Sequence, residues 1–327
     1  MKPHDRGNLF PMNQHSAQNL AAAQRDWPRP LRGIIPPLAT PLKSRDELDA
    51  AALERLTERI IAGGVHGLFV LGTTGEAAAL SVRMRREIVE RVTRQVAGRI
   101  PVLVGVSDTS LVEALAATEH AAAVGADAIV ATTPYYVPPE QEELLAFFKA
   151  LHDESPLPLY LYNMPGLTKT WISLEVVRAA MEWPNVHGLK DSSGDLAYFR
   201  EVANELHRRP DWSLLAGSES LLVDTMEVGG HGCVSGGANV WPQLYVGLYE
   251  AALRGDDAAI EQLQAQLNQF SAIYEDGQYG ACAIRGIKTA LALLGICDEQ
   301  MAATFRPATA EQRATIAACL QKLNVPR

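Results

Sequence analysis

The sequence is poor in cysteine and has no long apolar run. Four cysteines occur among 327 residues, and no two of them have Cys-x-x-Cys spacing. This predicts packed thiols in a reducing compartment, and so a cytoplasmic protein rather than a disulfide scaffold. No apolar run approaches the ~18 residues that a membrane-spanning helix needs, and the N-terminus lacks the apolar core of a signal peptide.

Basic residues do not cluster, and the chain carries a formal net charge of −9 at pH 7. The densest basic stretch is residues 83–86. This charge argues against nucleic acid or an anionic membrane as the main partner. It does not exclude an anionic small-molecule substrate, because local N–H groups can bind a carboxylate.

Signature motifs for metals, nucleotides and serine nucleophiles are missing. The eight histidines never occur as His-x-x-x-His, and there is no His-Glu-x-x-His. Gly-x-Ser-x-Gly and P-loop patterns are also absent. We therefore expect no metal and no cofactor, and a chemistry carried by side chains alone.

From residue 31 onward, short apolar runs alternate with helical stretches. The predicted strands are residues 31–36, 67–71, 101–106, 128–131, 158–162, 186–190, 212–216 and 232–235. They are apolar without alternation, which is typical of strands covered on both faces. Eight strand–helix units close most economically into a (β/α)8 TIM barrel. An open doubly wound sheet would normally carry a Gly-x-Gly-x-x-Gly turn, which is absent.

The barrel is predicted to occupy residues 29–254. Residues 1–28 are polar and interrupted by Pro3 and Pro11, which predicts an N-terminal extension outside the fold. Residues 255–327 show three amphipathic helical patterns separated by glycine and proline. We expect them to form a C-terminal three-helix appendix rather than an independent domain.

A lysine stands at the end of the sixth predicted strand. Lys190 follows the short, largely apolar residues 185–189 and precedes a polar turn. In a barrel, the carboxyl ends of the strands form the functional face. A lysine held there away from water can act as a free amine and form a Schiff base with a carbonyl. The alternative is a surface lysine just past a strand. It is less favoured here because the ends of other predicted strands also carry polar groups.

Those strand ends carry a consistent set of polar groups. Gly-Thr-Thr-Gly-Glu at residues 72–76 combines a tight turn with the hydroxyls of Thr73 and Thr74, which suits a carboxylate. Thr-Pro-Tyr-Tyr follows the fourth strand at residues 133–136, and Tyr-Asn-Met-Pro follows the fifth at residues 162–165. Each motif alone can be a turn or a packing element, but together they indicate one site. Lys288, inside a helical pattern, is the main competing lysine.

Three of these segments, in order and spacing, resemble the pyruvate-dependent class I aldolases and lyases, which include dihydrodipicolinate synthase and N-acetylneuraminate lyase. They are residues 72–76, residues 162–165, and Gly-Leu-Lys-Asp at residues 188–191. The resemblance covers residues 31–325. It implies a (β/α)8 barrel with C-terminal helices and a homotetramer built as a dimer of dimers.

The resemblance also implies a role for individual residues. Lys190 is the Schiff-base lysine, Tyr162 the proton-shuttling phenol, and Thr73 and Thr74 bind the pyruvyl carboxylate. Tyr136 resembles a tyrosine lent across a dimer interface to the neighbouring site. We expect the hydroxyls of Thr74, Tyr136 and Tyr162 to lie within hydrogen-bond reach in the assembled oligomer. Further predicted substrate contacts are Gly217, Val234, Leu167 and Ser192.

The chain departs from the synthases at one position. Dihydrodipicolinate synthases usually carry an arginine two residues past the proline of Tyr-Asn-x-Pro, where it holds the carboxylate of aspartate semialdehyde. Here Leu167 stands at that position, and leucine cannot pair with a carboxylate. Sialate lyases usually show an Asp-Glu pair after the seventh strand, whereas residues 216–220 contain only Glu219.

We therefore expect a class I carbon–carbon lyase that acts on pyruvate and an aldehyde, with a 2-keto-3-deoxy sugar acid or a related hydroxy-oxo acid as preferred substrate. The alternative within the family is dihydrodipicolinate synthase activity. A protein that binds a 2-oxo acid without catalysis is the alternative of another class. Lys190 and Tyr162 together argue against it, because binding alone needs neither a nucleophile nor a proton shuttle.

Overall fold

The computed structural model describes residue 25, residues 27–274 and residues 281–327. Eight parallel strands form its centre: β1 (Gly33–Ile34), β2 (Leu68–Val70), β3 (Val102–Gly105), β4 (Ala128–Thr132), β5 (Leu159–Asn163), β6 (Val186–Asp191), β7 (Ser213–Ala216) and β8 (Gly232–Cys233). Neighbouring strands follow chain order from β2 to β8, and β8 pairs with β1. A parallel bridge between Pro37 and Phe69 joins β1 to β2. The predicted (β/α)8 barrel is confirmed.

Helices follow the strands and cover the outside of the barrel. They are α1 (Ala50–Ala62), α2 (Val82–Val96), α3 (Leu111–Ala123), α4 (Gln141–Glu154), α5 (Leu174–Met181), α6 (Leu196–Glu205), α7 (Leu222–Glu227) and α8 (Pro242–Arg254). Side-chain caps start several of them: Asp49, Ser81 and Asp195 each accept a hydrogen bond from a first-turn N–H group. Each cap gives a partner to an N–H group of the first turn, which fixes where these helices begin.

Two apolar clusters hold the barrel together. The larger one fills the space between the strands and the helices. The smaller one fills the barrel interior and consists of Leu31, Ile35, Phe69, Leu103, Ala128, Val130, Tyr160, Tyr162, Leu215 and Val234. The interior is therefore a packed core rather than a pore, and a polar side chain that enters it is largely removed from water.

Three further helices follow the barrel, as predicted: α9 (Asp257–Phe270), α10 (Ala281–Leu293) and α11 (Ala310–Lys322). Helix α10 buries Ile284, Ile287 and Leu291 along one side. It contacts the short helical turn Gly236–Asn239, which follows β8. The C-terminal helices therefore reach the carboxyl ends of the barrel strands.

Most of the predicted N-terminal extension, residues 1–24 and residue 26, lies outside the described residues. Arg25 pairs with Asp127 at 2.9 Å, and Asp127 also accepts a hydrogen bond from the N–H group of Val102, where β3 begins. A small hairpin between Leu42–Ser44 and Glu47–Leu48 was not predicted, because strands of two or three residues show no periodicity. Within the described ranges, no helix is long and apolar enough to cross a bilayer.

Candidate active site

Lys190 and Tyr162 lie side by side inside the carboxyl end of the barrel. They occupy paired positions on the parallel strands β6 and β5, so their side chains share the inner face. Only 6% of Lys190 is exposed. Its Nζ lies 3.9 Å from the centroid of the Tyr162 ring and 4.9 Å from that of Phe69. The amine is thus held against two aromatic rings, where it can meet a substrate largely shielded from water.

The hydroxyl of Tyr162 is surrounded by polar groups. Burial alone would raise the pKa of this phenol, but the charge of Lys190 and hydrogen bonds with Thr73, Ser192 and Lys190 together lower it below its ordinary value. Thr73 Oγ1 lies 3.5 Å from the hydroxyl. A phenol with a lowered pKa beside an amine can give and take protons more readily than an exposed tyrosine.

The residues after Lys190 and Tyr162 on each strand face outward and lock the two strands together. Asn163 Nδ2 donates to Asp191 Oδ1 at 2.8 Å, and Asn163 Oδ1 accepts from the N–H group of Ile172 at 3.1 Å. The hydroxyl of Ser193 donates to Asp191 Oδ2 at 2.9 Å. Burial raises the pKa of Asp191 despite these hydrogen bonds. This network fixes the relative height of the amine and the phenol.

The loop at residues 72–76 brings Thr73 to the cavity, whose lining does not include Thr74. Its last residue, Glu76, has a left-handed backbone with a φ of 56° and a fully buried carboxylate. Lys288 Nζ lies 2.6 Å from Glu76 Oε1, and the N–H group of Ala302 donates to Oε2 at 2.8 Å. The sequence predicted no role for Lys288 in the reaction and did not predict that it pairs with Glu76. The sequence did contain a signal: Lys288 lies on the apolar side of α10, and a buried lysine needs an acidic partner.

Three of the other predicted substrate contacts lie near the amine. Ser192 bonds to Tyr162, and Val234 belongs to the interior cluster that contains Tyr162. Gly217 leaves room for Ser192, because a Cβ atom at Gly217 would lie 1.8 Å from the Ser192 Oγ. A larger residue at position 217 would therefore push Ser192 out of place.

Tyr136 does not reach the site of its own chain. It is 94% exposed and has a φ of 78°. Its neighbour Tyr135 lines the cavity instead. In this single chain the hydroxyls found beside Tyr162 are those of Thr73 and Ser192. The predicted group of Thr74, Tyr136 and Tyr162 concerned an oligomer and stays a prediction.

A cavity of about 340 Å³ opens above Tyr162. It is lined by Phe69, Leu71, Gly72, Thr73, Glu76, Ala77, Ala78, Ala79, Ser107, Thr132, Tyr135, Tyr162, Met164, Leu167, Thr168, Ile284, Thr304 and Phe305. Leu167 is therefore placed where substrate can contact it. Sequence reasoning missed Ile284, Thr304 and Phe305, which come from the C-terminal helical region.

Glu219, the single acid after β7, is engaged by the protein itself. Its carboxylate accepts hydrogen bonds from the Tyr245 hydroxyl, from the Tyr274 hydroxyl at 3.2 Å and from the N–H group of Gly237 at 2.7 Å. Burial raises its pKa despite these donors. Both oxygens of this carboxylate are thus occupied by donors of the protein itself.

A (β/α)8 barrel with a buried lysine beside a phenol at the carboxyl ends of its strands has the architecture of a class I aldolase. The family model described as the dihydrodipicolinate synthetase family matches residues 30–323. The chain belongs to this family, whose members are pyruvate-dependent lyases, and it is itself a lyase.

Relatives with different names match the chain at similar identity. A 4-hydroxy-tetrahydrodipicolinate synthase of Phenylobacterium zucineum is 39% identical over 291 residues, 89% of this chain and 96% of that protein. A probable 2-dehydro-3-deoxy-D-pentonate aldolase of Escherichia coli is 37% identical over 244 residues, 74% and 81% of the two chains. The solved dihydrodipicolinate synthase of Bacteroides thetaiotaomicron superposes with a TM-score of 0.87 at 45% identity, covering 90% of this chain and all of that one.

Proposed function

We propose that the chain is a Schiff-base aldolase in which Lys190 condenses with pyruvate. The observation that carries the proposal is the buried amine of Lys190 against the rings of Tyr162 and Phe69. The amine adds to the keto carbon of pyruvate, and the resulting carbinolamine loses water to give a protonated imine. That imine is the electron sink for the following steps, so the proposed reaction uses no metal or organic cofactor.

Tyr162 serves as the proton shuttle in this proposal. Its hydroxyl gives a proton as water leaves and accepts one as the imine forms the enamine, and its lowered pKa supports both roles. Thr73 and Thr74 bind the pyruvyl carboxylate. The enamine then attacks the aldehyde carbonyl carbon, and the alkoxide that forms takes the proton held by Tyr162. Addition of water to the imine carbon then releases a 4-hydroxy-2-oxo acid and the free lysine. The cleavage direction runs through the same steps in reverse.

The second reactant in this proposal is an uncharged aldehyde, so the product is a 4-hydroxy-2-oxo acid, either a 2-keto-3-deoxy sugar acid or a related hydroxy-oxo acid. Leu167 supports this choice because it lines the cavity where a synthase would present a guanidinium. The second candidate is the condensation of pyruvate with aspartate semialdehyde. The name of the 39% identical relative from Phenylobacterium zucineum favours that reaction.

We further propose a cytoplasmic homo-oligomer, in which one subunit lends Tyr136 to the site of its neighbour. An exposed aromatic side chain held away from its own site supports this arrangement.

Borohydride reduction in the presence of pyruvate tests the proposed nucleophile. The wild-type chain should gain one covalent pyruvate-derived adduct, measured by intact mass and located by peptide mapping. Lys190→Ala should gain none because the reacting amine is gone. Lys169→Ala, which removes an exposed lysine close to the cavity, is the matched control and should label like wild type. An adduct that persists in Lys190→Ala assigns the nucleophile to another residue.

A further inference from the structure

We propose that the acceptor aldehyde carries an apolar substituent, and that Ile284 and Phe305 of the C-terminal helical region select it. This acceptor class rests on the proposed Schiff-base chemistry of Lys190. Within the uncharged aldehydes compatible with that chemistry, the cavity favours alkyl or aryl aldehydes over polyhydroxylated ones. Of the two product classes proposed above, this favours the related hydroxy-oxo acids over the 2-keto-3-deoxy sugar acids.

The cavity has two kinds of wall. Its hydroxyl groups come mainly from the strand ends, where Thr73, Ser107, Thr132 and Tyr162 lie. The walls beyond the strand ends are mainly apolar and consist of Ala77, Ala78, Ala79, Met164, Leu167, Ile284 and Phe305. Lys190 itself does not line the cavity, but its Nζ lies 3.9 Å from the centroid of the Tyr162 ring, which does. Pyruvate bound to Lys190 would therefore face the first kind of wall, and the second kind is left for the acceptor.

The polar groups within the outer walls are largely engaged elsewhere. The hydroxyl of Thr168 donates to the carbonyl groups of Met164 and Thr170, each at 3.2 Å. Glu76 is paired with Lys288 at 2.6 Å. Thr304 and Tyr135 supply the remaining hydroxyls of the outer part of the cavity. A sugar chain presents several hydroxyls that need partners, and two side chains offer few of them.

No lysine or arginine of the described residues lines the cavity. Three cations adjoin its walls in sequence, and each donates a hydrogen bond within the protein. Lys169 Nζ donates to the carbonyl of Gly166 at 2.7 Å, Arg285 Nε to the carbonyl of Arg306 at 3.1 Å, and Arg306 Nη1 to Gln312 Oε1 at 3.3 Å. An acceptor carboxylate would lose water here without gaining a counter-charge, which is costly. An apolar chain loses nothing on entry and gains contact with Ile284, Phe305 and Leu167.

The first test compares aldehydes of equal length with wild-type enzyme at saturating pyruvate. Propanal and D-glyceraldehyde both have three carbons and differ in two hydroxyls. Butanal and succinic semialdehyde both have four carbons and differ in a carboxylate. We expect kcat/KM to be at least about 10-fold higher for the apolar member of each pair, the scale on which a pocket contact discriminates between substrates.

The second test changes the wall. Phe305→Ala should lower kcat/KM for butanal about 10-fold and change the value for D-glyceraldehyde little, because only the apolar chain loses its contact. Ile284→Thr keeps the branched shape, adds a hydroxyl and should shift preference toward D-glyceraldehyde. Leu253→Ala, an exposed leucine on α8 that does not line the cavity, is the control. Half-saturation of borohydride trapping by pyruvate should stay at the wild-type value in all three variants, which separates selection of the acceptor from damage to the fold.

The outcomes distinguish the two proposals. A wild-type chain that gains no adduct with pyruvate refutes the Schiff-base function. The proposed apolar acceptor is then refuted as well, because it depends on that function. Normal trapping together with equal or faster turnover of D-glyceraldehyde overturns the apolar acceptor alone. Normal trapping with an unaltered aldehyde preference in Phe305→Ala and Ile284→Thr shows that these side chains do not select the acceptor.

Discussion

Leu167 lines the cavity with 45% of its surface exposed, so a substrate can contact it directly. We predict that pyruvate condenses with an uncharged aldehyde faster than with aspartate semialdehyde, compared as kcat/KM. Loss of a charge-assisted hydrogen bond costs about 1.5–3 kcal/mol, or roughly 10- to 100-fold in rate. Leu167→Arg should therefore narrow or invert the ratio by a factor in this range.

A competing possibility is that Lys169, in place of the synthase arginine, binds the carboxylate of aspartate semialdehyde. Its Nζ donates to the carbonyl of Gly166. Lys169→Ala should thus leave the ratio of the two aldehydes unchanged. A wild-type preference for aspartate semialdehyde would instead restore the synthase reaction as the function.

At the level of single residues, the sequence predicts on which face of the barrel a side chain lies if the residue stands at the end of a strand. Lys190 and Tyr162 share the inner face because the side-chain period of a strand is two residues, and that period can be read from the sequence. The choice between Thr73 and Thr74 as the neighbour of Tyr162 could not be predicted. It depends on how residues 72–76 turn, and the left-handed Glu76 in that turn is fixed by Lys288, 212 positions further along the chain.

At the level of elements, the pair Glu76–Lys288 ties α10 to the loop after β2, with side chains only 0% and 1% exposed. Removing one member of a buried pair leaves the other charge uncompensated and costs about 3–5 kcal/mol. We predict this loss in the free energy of unfolding of Lys288→Met, measured with denaturant. Lys43→Met, which removes an exposed lysine from the hairpin, is the control and should change stability little.

The double variant Glu76→Gln/Lys288→Met tests whether the pair only stabilises the fold or also positions the loop at residues 72–76. It buries no charge, so it should regain much of the lost stability. If the pair also positions Thr73 and Thr74, the pyruvate concentration for half-maximal trapping stays raised in the double variant while kcat at saturation recovers. Recovery of both quantities would show a structural role only.

The strand and helix pattern of the barrel follows from local sequence, whereas the contribution of α10 to the site does not. Ile284 and Lys288 lie one helical turn apart, and their periodicity predicts a buried side but not what that side covers. The contacts that decide this, such as Lys288 with Glu76 and Ala302 with Glu76, join distant parts of the chain. No local pattern encodes them.

At the level of the whole molecule, Tyr136 is the residue through which we propose that the fold contacts a second subunit. A non-glycine residue with a φ of 78° is strained, at a typical cost of about 1–3 kcal/mol, and here the strained residue presents its ring to solvent. We predict that Tyr136→Ala loses turnover and that co-expression with Lys190→Ala restores part of it. In a mixed dimer, the Tyr136→Ala subunit keeps its own Lys190 and receives a tyrosine from its partner.

Random pairing in equal amounts should restore about a quarter of wild-type activity, because half of the dimers are mixed and each mixed dimer has one intact site. Steady-state rates of the purified mixture measure this, and sedimentation gives the oligomeric state. A mixture no more active than its two components would show that Tyr136 does not act across an interface.

The hydrogen-bonded register between β5 and β6 also has a consequence for how this enzyme can change over evolution. Lys190 and Tyr162 are set by adjacent strands and by the bond between Asn163 and Asp191, so their spacing survives substitutions elsewhere. The side chains proposed to contact the acceptor belong to the short helix Pro165–Thr168 and to the C-terminal helical region. The hydrogen-bonded ladder of β5 and β6 does not constrain these segments. Substitutions in these outer segments can therefore change the aldehyde that is accepted while Lys190 and Tyr162 keep their positions. Directed evolution of this scaffold should concentrate its libraries at Leu167, Ile284 and Phe305.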